Sequence, residues 1–136
     1  MSVSIVKELY AAFSRGDIQA ILARVDQDVV WEMEAPPIIS FGGIRRGIAE
    51  TAGFFEGLAK DHTGPQLDMT EFLESGDAVA AFGRYEATMR ISGKLVNSPV
   101  AHYFKFRDGK IVRYQNFVNT AAFVEAMQPE ASAAGR

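Results

Sequence analysis

The side chain in this sequence best suited to proton chemistry is His102, one of two histidines in a chain without cysteine. An imidazole whose pKa lies near neutrality can accept and return a proton, so His102 could act as a general acid or base. Tyr85 and Asn116 could polarise an oxygen of the same ligand, as oxyanion-hole donors do. The alternative is a buried imidazole that is hydrogen-bonded by Asn116 or a tyrosine and contributes only structure.

The pairing of the last two predicted strands decides whether His102 and Asn116 meet. The dipeptide Asp108-Gly109 is typical of a hairpin turn. A two-residue turn in a regular ladder would set His102 opposite Gln115. A three-residue loop with a bulge instead matches apolar with apolar residues three times. Those pairs are Phe106 with Val112, Phe104 with Tyr114, and Val100 with Val118. We therefore predict the second register, in which an extra residue at the Gly109 bend places His102 opposite Asn116 on the inner face.

Alternation along the strands predicts which other side chains point inward. Between residues 81 and 90, one face carries Arg84, Glu86 and Arg90, and burying three unpaired charges would be costly. The opposite face must therefore point into the core. The inward residues predicted in this way are Val29, Trp31 and Met33 in one strand and Ala81, Gly83, Tyr85, Ala87 and Met89 in another. The inward polar groups are Tyr85, Ser98, His102, Tyr114 and Asn116, and this inner face contains no carboxylate.

The elements that must position these residues follow from hydrophobic periodicity and turn residues. Apolar stripes predict helices over residues 4–15, from Asp17 through about Val25, and after residue 47 through about residue 60. The inward positions predicted for the third helix are Ile48, Ala52, Phe55 and Leu58. Strands are predicted at 28–34, 67–74, 78–91, 95–107 and 110–118, with loops at 41–47 and 60–64 and a short last helix capped at Asn119-Thr120. Helices followed by an antiparallel meander predict an α+β fold, with the helices on one face of the sheet.

Length and composition limit the class of protein. A chain of 136 residues, 48% hydrophobic and 23% charged, fits one globular domain, with an ordered core expected over about 3–127 and a polar tail over 128–136. The net charge of −3, with Arg45-Arg46 as the only basic pair, argues against a nucleic-acid partner. The absence of cysteine excludes disulfides and thiolate metal sites. Without an export signal or an apolar run of roughly 20 residues, the expectation is a cytoplasmic protein with no membrane partner.

Neither a cofactor nor a metal site is predicted. His62 lies in a segment that is a loop by composition, where it is interpreted as ordinary surface, and no metal-ligand spacing joins it to His102. Gly42-Gly43 is not followed by the strand-loop-helix order with a lysine that a phosphate loop needs.

A series of short segments resembles the SnoaL-like and ketosteroid isomerase-related proteins of the nuclear transport factor two superfamily. The segments are Tyr10-Ala-Ala-Phe-Ser-Arg-Gly-Asp-Ile18, Asp28-Val-Val-Trp-Glu32, Arg46-Gly47, Ser92-Gly-Lys94, Phe106-Arg-Asp-Gly-Lys-Ile-Val112 and Asn119-Thr-Ala-Ala122, in the expected order over residues 3–127. The resemblance implies a cone: a strongly bent, antiparallel or mixed sheet, with three N-terminal helices closing over an apolar pocket and a short C-terminal helix. A shared fold hosts many functions, so it does not by itself imply an activity.

The resemblance also assigns roles to positions, and this sequence departs from several of them. His102 falls where polyketide cyclases have a histidine and where ketosteroid isomerase has a neutral, hydrogen-bond-donating aspartic acid. Met33 stands near the isomerase's general base and Asn116 stands at a cyclase aspartate, and neither can take up a proton. The Arg-x-Asp pattern of the epoxide hydrolases reads here as Gly83-Arg-Tyr85. The usual carboxylate mechanisms of the family are therefore absent.

Three hypotheses follow for the function. The first is a cofactor-free isomerase, cyclase or dehydratase acting on a small hydrophobic molecule, with His102, Asn116 and Tyr85 as catalytic residues. The second is a non-catalytic binder of an apolar ligand. The third is a dimeric structural module, since the resemblance implies pairing through the outer sheet face that would carry Phe82, Tyr103 and Phe117. The ligand-binding residues predicted for the pocket are Tyr10, Phe13, Trp31, Met33, Phe55, Leu58, Ser98, Phe104, Tyr114 and Val118.

Overall fold

The computed structural model describes residues 2–128, and this part of the chain folds as helices packed on one mixed sheet. The helices are α1 (Ser2–Ser14), α2 (Ile18–Leu22), α3 (Gly47–Asp61) and α4 (Thr120–Met127). The strands are β1 (Val25–Met33), β2 (Gly43–Arg46), β3 (His62–Ser75), β4 (Ala78–Met89), β5 (Leu95–Arg107) and β6 (Lys110–Val118). Their order is β2-β1-β6-β5-β4-β3, with β1 and β6 parallel and the other neighbours antiparallel. The predicted α+β class is confirmed, and residues 129–136 of the tail predicted over 128–136 lie outside the described residues.

The predicted strand faces are confirmed. In β4 the side chains of Tyr85 and Met89 are buried while Arg84 is exposed, and in β1 Trp31 is buried. Strand β5 alternates in the same way, with every second residue from Val96 to Phe106 buried. Alternation could be used because charged residues mark one face of each strand and so decide which face the core takes.

The β5–β6 hairpin has the predicted register at its far end and a different geometry at its turn. His102 pairs with Asn116, and Phe104 pairs with Tyr114, as predicted. The predicted pairing of Phe106 with Val112 is wrong, because Phe106 pairs with Ile111 and the register shift skips Val112. The turn itself has two residues, Asp108 and Gly109, with φ angles of 51° and 75°. Both left-handed positions are what a two-residue hairpin turn requires, so the extra residue is a bulge within β6 and not part of the bend.

The helix caps are as predicted, but one helix boundary and one buried stripe differ. The Asp17 side chain accepts a hydrogen bond from the Ala20 N–H at 3.1 Å. Helix α2 ends at Leu22, so Val25, predicted on the helix, instead opens β1. In α3, Ile48 is 39% exposed. The buried positions of α3 are Thr51, Phe54 and Phe55. Thr51 can be buried because its hydroxyl donates to the Gly47 carbonyl.

Two segments predicted as loops contain strand residues. Gly43–Arg46 forms β2 and pairs with the end of β1, from Val30 to Met33. His62 opens β3, pairs with Met89 and is 2% exposed, so its interpretation as a surface residue is wrong. The composition of residues 60–64 is that of a loop, and only the pairing with β4 makes it a strand. Among residues 2–128, no helix combines the length and apolar character needed to cross a bilayer.

Candidate functional site

A cavity of about 70 Å³ lies between the inner face of the sheet and the helices. That volume exceeds the roughly 10–15 Å³ that one water molecule needs, but it is smaller than the ~150 Å³ of an engineered cavity that binds benzene. Aromatic side chains such as Phe54 and Phe55 fill much of the surrounding space. A ligand of the size of benzene or larger therefore requires some of these rings to rotate.

The structure brings nearly all of the predicted site residues to this cavity. The predicted residues in its wall are Tyr10, Phe13, Trp31, Met33, Phe55, Leu58, Tyr85, His102, Phe104, Tyr114, Asn116 and Val118. Ser98 is fully buried but lies outside the lining. Its hydroxyl donates to the Pro99 carbonyl at 2.7 Å and accepts from the Asn119 N–H at 2.9 Å. Ser98 thus joins β5 to the start of α4.

One end of the cavity is built around His102. Its Nδ1 lies 2.8 Å from the Tyr10 hydroxyl, which reaches down from α1. The ring of Tyr114 packs against the imidazole at a centroid distance of 5.3 Å, and Phe104 meets it edge-on at 6.1 Å. Within residues 2–128, Tyr10 is the hydrogen-bond partner of the imidazole, so Nε2 keeps its capacity to bind a ligand atom.

Burial makes His102 a neutral side chain at physiological pH. Desolvation lowers the pKa of His102 to about 3, because the imidazolium form loses its hydration inside the apolar wall. The same desolvation raises the pKa of Tyr10 above its ordinary value of 10.0, so the phenol keeps its proton. The two groups therefore form a neutral hydrogen-bonded pair. An imidazole with a pKa near neutrality, as the general acid–base hypothesis assumes, does not match this environment.

Two polar atoms near this end lack partners in the protein. Trp31 Nε1 and Asn116 Oδ1 are buried, and neither forms a hydrogen bond with any described residue. The indole ring of Trp31 stacks on Tyr114 with ring centroids 3.8 Å apart. Because buried polar groups usually have partners, an unpaired donor and an unpaired acceptor in one apolar wall indicate a place for a polar ligand atom.

Tyr85 belongs to a different part of the cavity. Its hydroxyl lies 2.6 Å from Nδ1 of His62 and not beside His102. His102 pairs with Ala81 on the neighbouring strand, and Tyr85 follows Ala81 by four residues, which is about 13 Å along a strand. Tyr85 thus contacts His62, whereas Asn116 lies opposite His102, and the predicted role of Tyr85 and Asn116 in polarising one oxygen stays a prediction.

The sequence hypotheses missed several residues of the site. Phe41, Phe54 and Phe123 line the cavity, and His62 lies behind Tyr85. Phe54 could have been found from the next position of the α3 stripe, since two adjacent residues of a helix can both face a sheet. Phe41 and His62 had no local signal, because the segments that carry them are glycine-rich or polar.

The wall of the cavity is uncharged. Its lining contains no aspartate, glutamate, lysine or arginine. Across the described residues, no three His, Asp or Glu side chains cluster closely enough to hold a metal ion. The chemistry available at the site is therefore hydrogen bonding, or proton transfer through an imidazole or a phenol.

Comparison with known proteins agrees with this architecture. Residues 6–114 match the SnoaL-like domain family. An NTF2-like protein from Burkholderia thailandensis is 31% identical, with a TM-score of 0.87 over 94% of this chain and 98% of that one. TerC, co-crystallised with polyporic acid, is 30% identical, with a TM-score of 0.83 over 93% of this chain and 97% of that one.

Solved structures of lower sequence identity have the same fold. A candidate polyketide cyclase from Xanthomonas campestris pv. campestris is 24% identical, with a TM-score of 0.79 over 93% of this chain and 96% of that one. At that identity the likeness shows the fold alone. No curated protein matches the chain. The match over most of the sequence and the two relatives at 30% identity or more establish the family: this chain is a member of the SnoaL-like proteins and has their NTF2-like cone fold.

Proposed function

We propose that the protein binds a small, largely apolar molecule in the cavity and holds one oxygen of that molecule beside His102. The observation that carries the proposal is the set of polar atoms without protein partners on an otherwise aromatic, uncharged wall. Trp31 Nε1 is a donor and Asn116 Oδ1 is an acceptor, and His102 Nε2 lies at the same end. A ligand hydroxyl can accept from Trp31 Nε1 and donate to Asn116 Oδ1, whereas a carbonyl oxygen can only accept, so a hydroxyl would satisfy both groups that otherwise cost stability.

The neutral Tyr10–His102 pair favours a particular tautomer for binding. When the Tyr10 hydroxyl donates to Nδ1, the imidazole proton lies on Nε2 and can be donated to the ligand. Such a donor sits in a low-dielectric wall, where a hydrogen bond to a carbonyl or hydroxyl oxygen is stronger than in water. A carboxylate-free cavity also avoids repelling an electron-rich oxygen.

The relatives support an oxygenated aromatic compound as the ligand class. TerC was crystallised with the small molecule polyporic acid. The wall of the present cavity supplies aromatic contacts from Trp31, Phe54 and Phe55, among others. Flat aromatic rings pack well on such a surface, in offset or edge-to-face contact.

The proposal predicts that 2-naphthol binds at least about tenfold more tightly than naphthalene, a difference of about 1.4 kcal/mol. Both rings bury the same apolar surface, but only 2-naphthol has an oxygen for the groups around His102. Trp31 is the only tryptophan in the chain, so quenching of its emission reports binding, with calorimetry as a second measurement. In the His102→Phe variant the affinity for 2-naphthol should fall toward that for naphthalene, with Trp31 and Asn116 keeping the remaining difference. Equal affinities of the two compounds for the unmodified protein, or no binding of either, would contradict the proposal.

A second candidate function is cofactor-free isomerisation, cyclisation or dehydration, in which His102 moves a proton. The contact that favours it is the Tyr10–His102 hydrogen bond, which can also hold the opposite tautomer, with Nδ1–H donating to the Tyr10 oxygen and Nε2 free as a base. A pKa of about 3 makes His102 a weak base, so this candidate ranks second.

Proton abstraction can be tested without knowing the substrate. If His102 Nε2 removes a proton from the carbon next to a carbonyl, the protein should accelerate deuterium incorporation into 2-tetralone in D2O, as measured by NMR. The His102→Ala variant should lose the acceleration while keeping its affinity for the ketone within about tenfold. An exchange rate equal to that in buffer alone would leave binding as the function.

We also propose that two copies of the chain pair through the outer face of the sheet. Phe117 is 54% exposed there, and Phe82 and Tyr103 are partly exposed on the same face. Exposed aromatic residues on a sheet suit a partner surface. Gel filtration at micromolar concentration measures the oligomeric state, and elution as a monomer would exclude this pairing.

A further inference from the structure

We infer that the cavity has a second polar end, formed by Tyr85 and supported by His62, and that the molecule it holds carries an oxygen at both of its ends. This inference rests on the proposed function and specifies its ligand class. It concerns a pair of side chains that the His102 end of the site does not use. The class is a flat aromatic compound with hydroxyl or carbonyl oxygens on opposite sides.

The Tyr85 hydroxyl has hydrogen-bonding capacity that the protein leaves unused. Tyr85 lines the cavity and is 6% exposed, and its hydroxyl lies 2.6 Å from His62 Nδ1. A phenol offers one donor and two acceptor lone pairs, and His62 occupies only one of these. Within the described part of the chain, His62 is the hydrogen-bond partner of this hydroxyl. At least one further hydrogen bond is therefore available to a ligand.

His62 itself is difficult to explain as a packing residue. It is 2% exposed, and its Nε2 is buried without a hydrogen bond to any described residue. An unpaired buried nitrogen costs stability, so an apolar side chain would fill the same space with less loss. The hydrogen bond to Tyr85 is the polar contact that His62 makes among the described residues. Its effect is to fix the phenol and set the direction of its proton, which makes His62 a positioning residue.

The surrounding rings hold this pair in one orientation. Phe41 meets the imidazole of His62 edge-on, with centroids 4.9 Å apart, and Phe123 stacks on Tyr85 at 6.0 Å. Both phenylalanines also line the cavity. Ring packing on both sides and the hydrogen bond to His62 together orient the Tyr85 hydroxyl, and a specific ligand contact benefits from such preorganisation.

The strand register separates the two polar ends along the cavity. Tyr85 pairs with Ser98 and His102 pairs with Ala81, so the two side chains project from the inner face about 13 Å apart along the strand direction. The Tyr85 hydroxyl is directed at His62 and the imidazole of His102 at Tyr10, so the two polar groups belong to different hydrogen-bonded pairs. An elongated molecule with one oxygen at each end can bond both.

The experiment compares ligands that differ in one hydroxyl. We expect 2,6-dihydroxynaphthalene or 4,4′-dihydroxybiphenyl, whichever fits the separation, to bind at least about tenfold more tightly than 2-naphthol or 4-phenylphenol respectively. In Tyr85→Phe the ratio between the two affinities should fall below about threefold, and in His62→Gln it should fall as well. Ser14→Ala, which removes a hydroxyl from the exposed end of α1, should leave the ratio unchanged. Because each ratio is taken within one protein, a general loss of stability cancels.

The outcomes separate this inference from the proposed function. If the singly hydroxylated compounds bind but the second hydroxyl adds no affinity in either series, the second polar end is excluded and the proposed function stands. The second polar end is also excluded if the ratio of the two affinities is unchanged in Tyr85→Phe. If none of the four compounds binds, both the proposed function and this inference are overturned.

Discussion

The Gly83→Ala variant is expected to lose about 3 kcal/mol or more of its free energy of unfolding, at the upper end of what overpacking costs. A Cβ at position 83 would lie 2.0 Å from the Asp68 carbonyl oxygen and 2.6 Å from the Met69 Cα. Both are backbone atoms of β3, which pairs with β4 here and is irregular between Met69 and Glu71. The neighbouring strand can retreat only by breaking the ladder that joins the two strands. One methyl group should therefore disturb the sheet that carries Tyr85.

Urea unfolding followed by circular dichroism measures this loss, with Gly53→Ala as the matched control. Gly53 lies inside α3, where a Cβ would meet Arg45 Nη1 at 3.1 Å, the end of a flexible side chain. Alanine is a better helix former than glycine by about 0.5–1 kcal/mol, so this variant should be unchanged or slightly more stable. If both variants lose the same stability, the close approach at Gly83 is not its cause.

Gly83 also shows where prediction from sequence ends. Strand alternation placed it on the inner face, since Arg84 and Glu86 mark the other face by their charge. Alternation could not show that a neighbouring backbone lies within van der Waals distance, because that depends on a bulge in β3. The faces of the strands follow from a period of two and from the cost of burying charge. The local distance between strands does not.

The His102 end of the site could be predicted because it depends on hairpin register. The choice between two registers was decided by matching apolar residues across β5 and β6, and this fixed His102 opposite Asn116 although the bulge lies at Val112. The partner of the imidazole is Tyr10, which comes from α1. How a helix docks on a sheet is set by the whole core and not by a local pattern, so the sequence could offer a tyrosine as the partner but could not show which one.

The same reason explains why the His62 end was missed. Residues 60–64 are polar and contain glycine, which is typical of a loop. The pairing of His62 with Met89 and the packing of its ring on Phe41 bring it into the core. The only hint in the sequence was the inward direction of Tyr85, whose buried hydroxyl needed some partner. The identity of that partner required the three-dimensional arrangement.

The two buried histidines should make the protein sensitive to acid well above the range in which carboxylates titrate. Burial lowers the pKa of His102 to about 3 and that of His62 to about 4, whereas an unfolded histidine titrates near 6.5. Between these values the unfolded chain binds protons that the folded protein does not. The free energy of unfolding therefore falls as the pH falls, and the stabilisation is complete only above about pH 6.5.

Between pH 7 and pH 4.5 the loss should be roughly 2–3 kcal/mol from each histidine, since one pKa unit corresponds to about 1.4 kcal/mol. Two such losses are a large share of the 5–15 kcal/mol that stabilises a typical domain, so unfolding near pH 4.5 is expected in moderate urea. Urea unfolding curves measured at intervals of half a pH unit give the slope of the free energy of unfolding against pH. A bound ligand that keeps a histidine neutral should also make the free energy of unfolding fall as the pH falls, because it binds the folded protein with the imidazole unprotonated.

The variants His102→Gln and His62→Gln identify the source of this slope, because glutamine does not titrate. Each should flatten the dependence of the free energy of unfolding on pH by up to about 1.4 kcal/mol per pH unit, even where it lowers stability at pH 7. The pKa of Asp26 is lowered below its ordinary value of 3.8 by a hydrogen bond from the Asp28 backbone N–H. Its protonation therefore changes stability at a lower pH than the protonation of the two histidines does. An unchanged slope in both variants would mean that neither imidazole is buried in its neutral form. The polar ends of the cavity would then lack the neutral hydrogen-bonding groups on which ligand recognition depends.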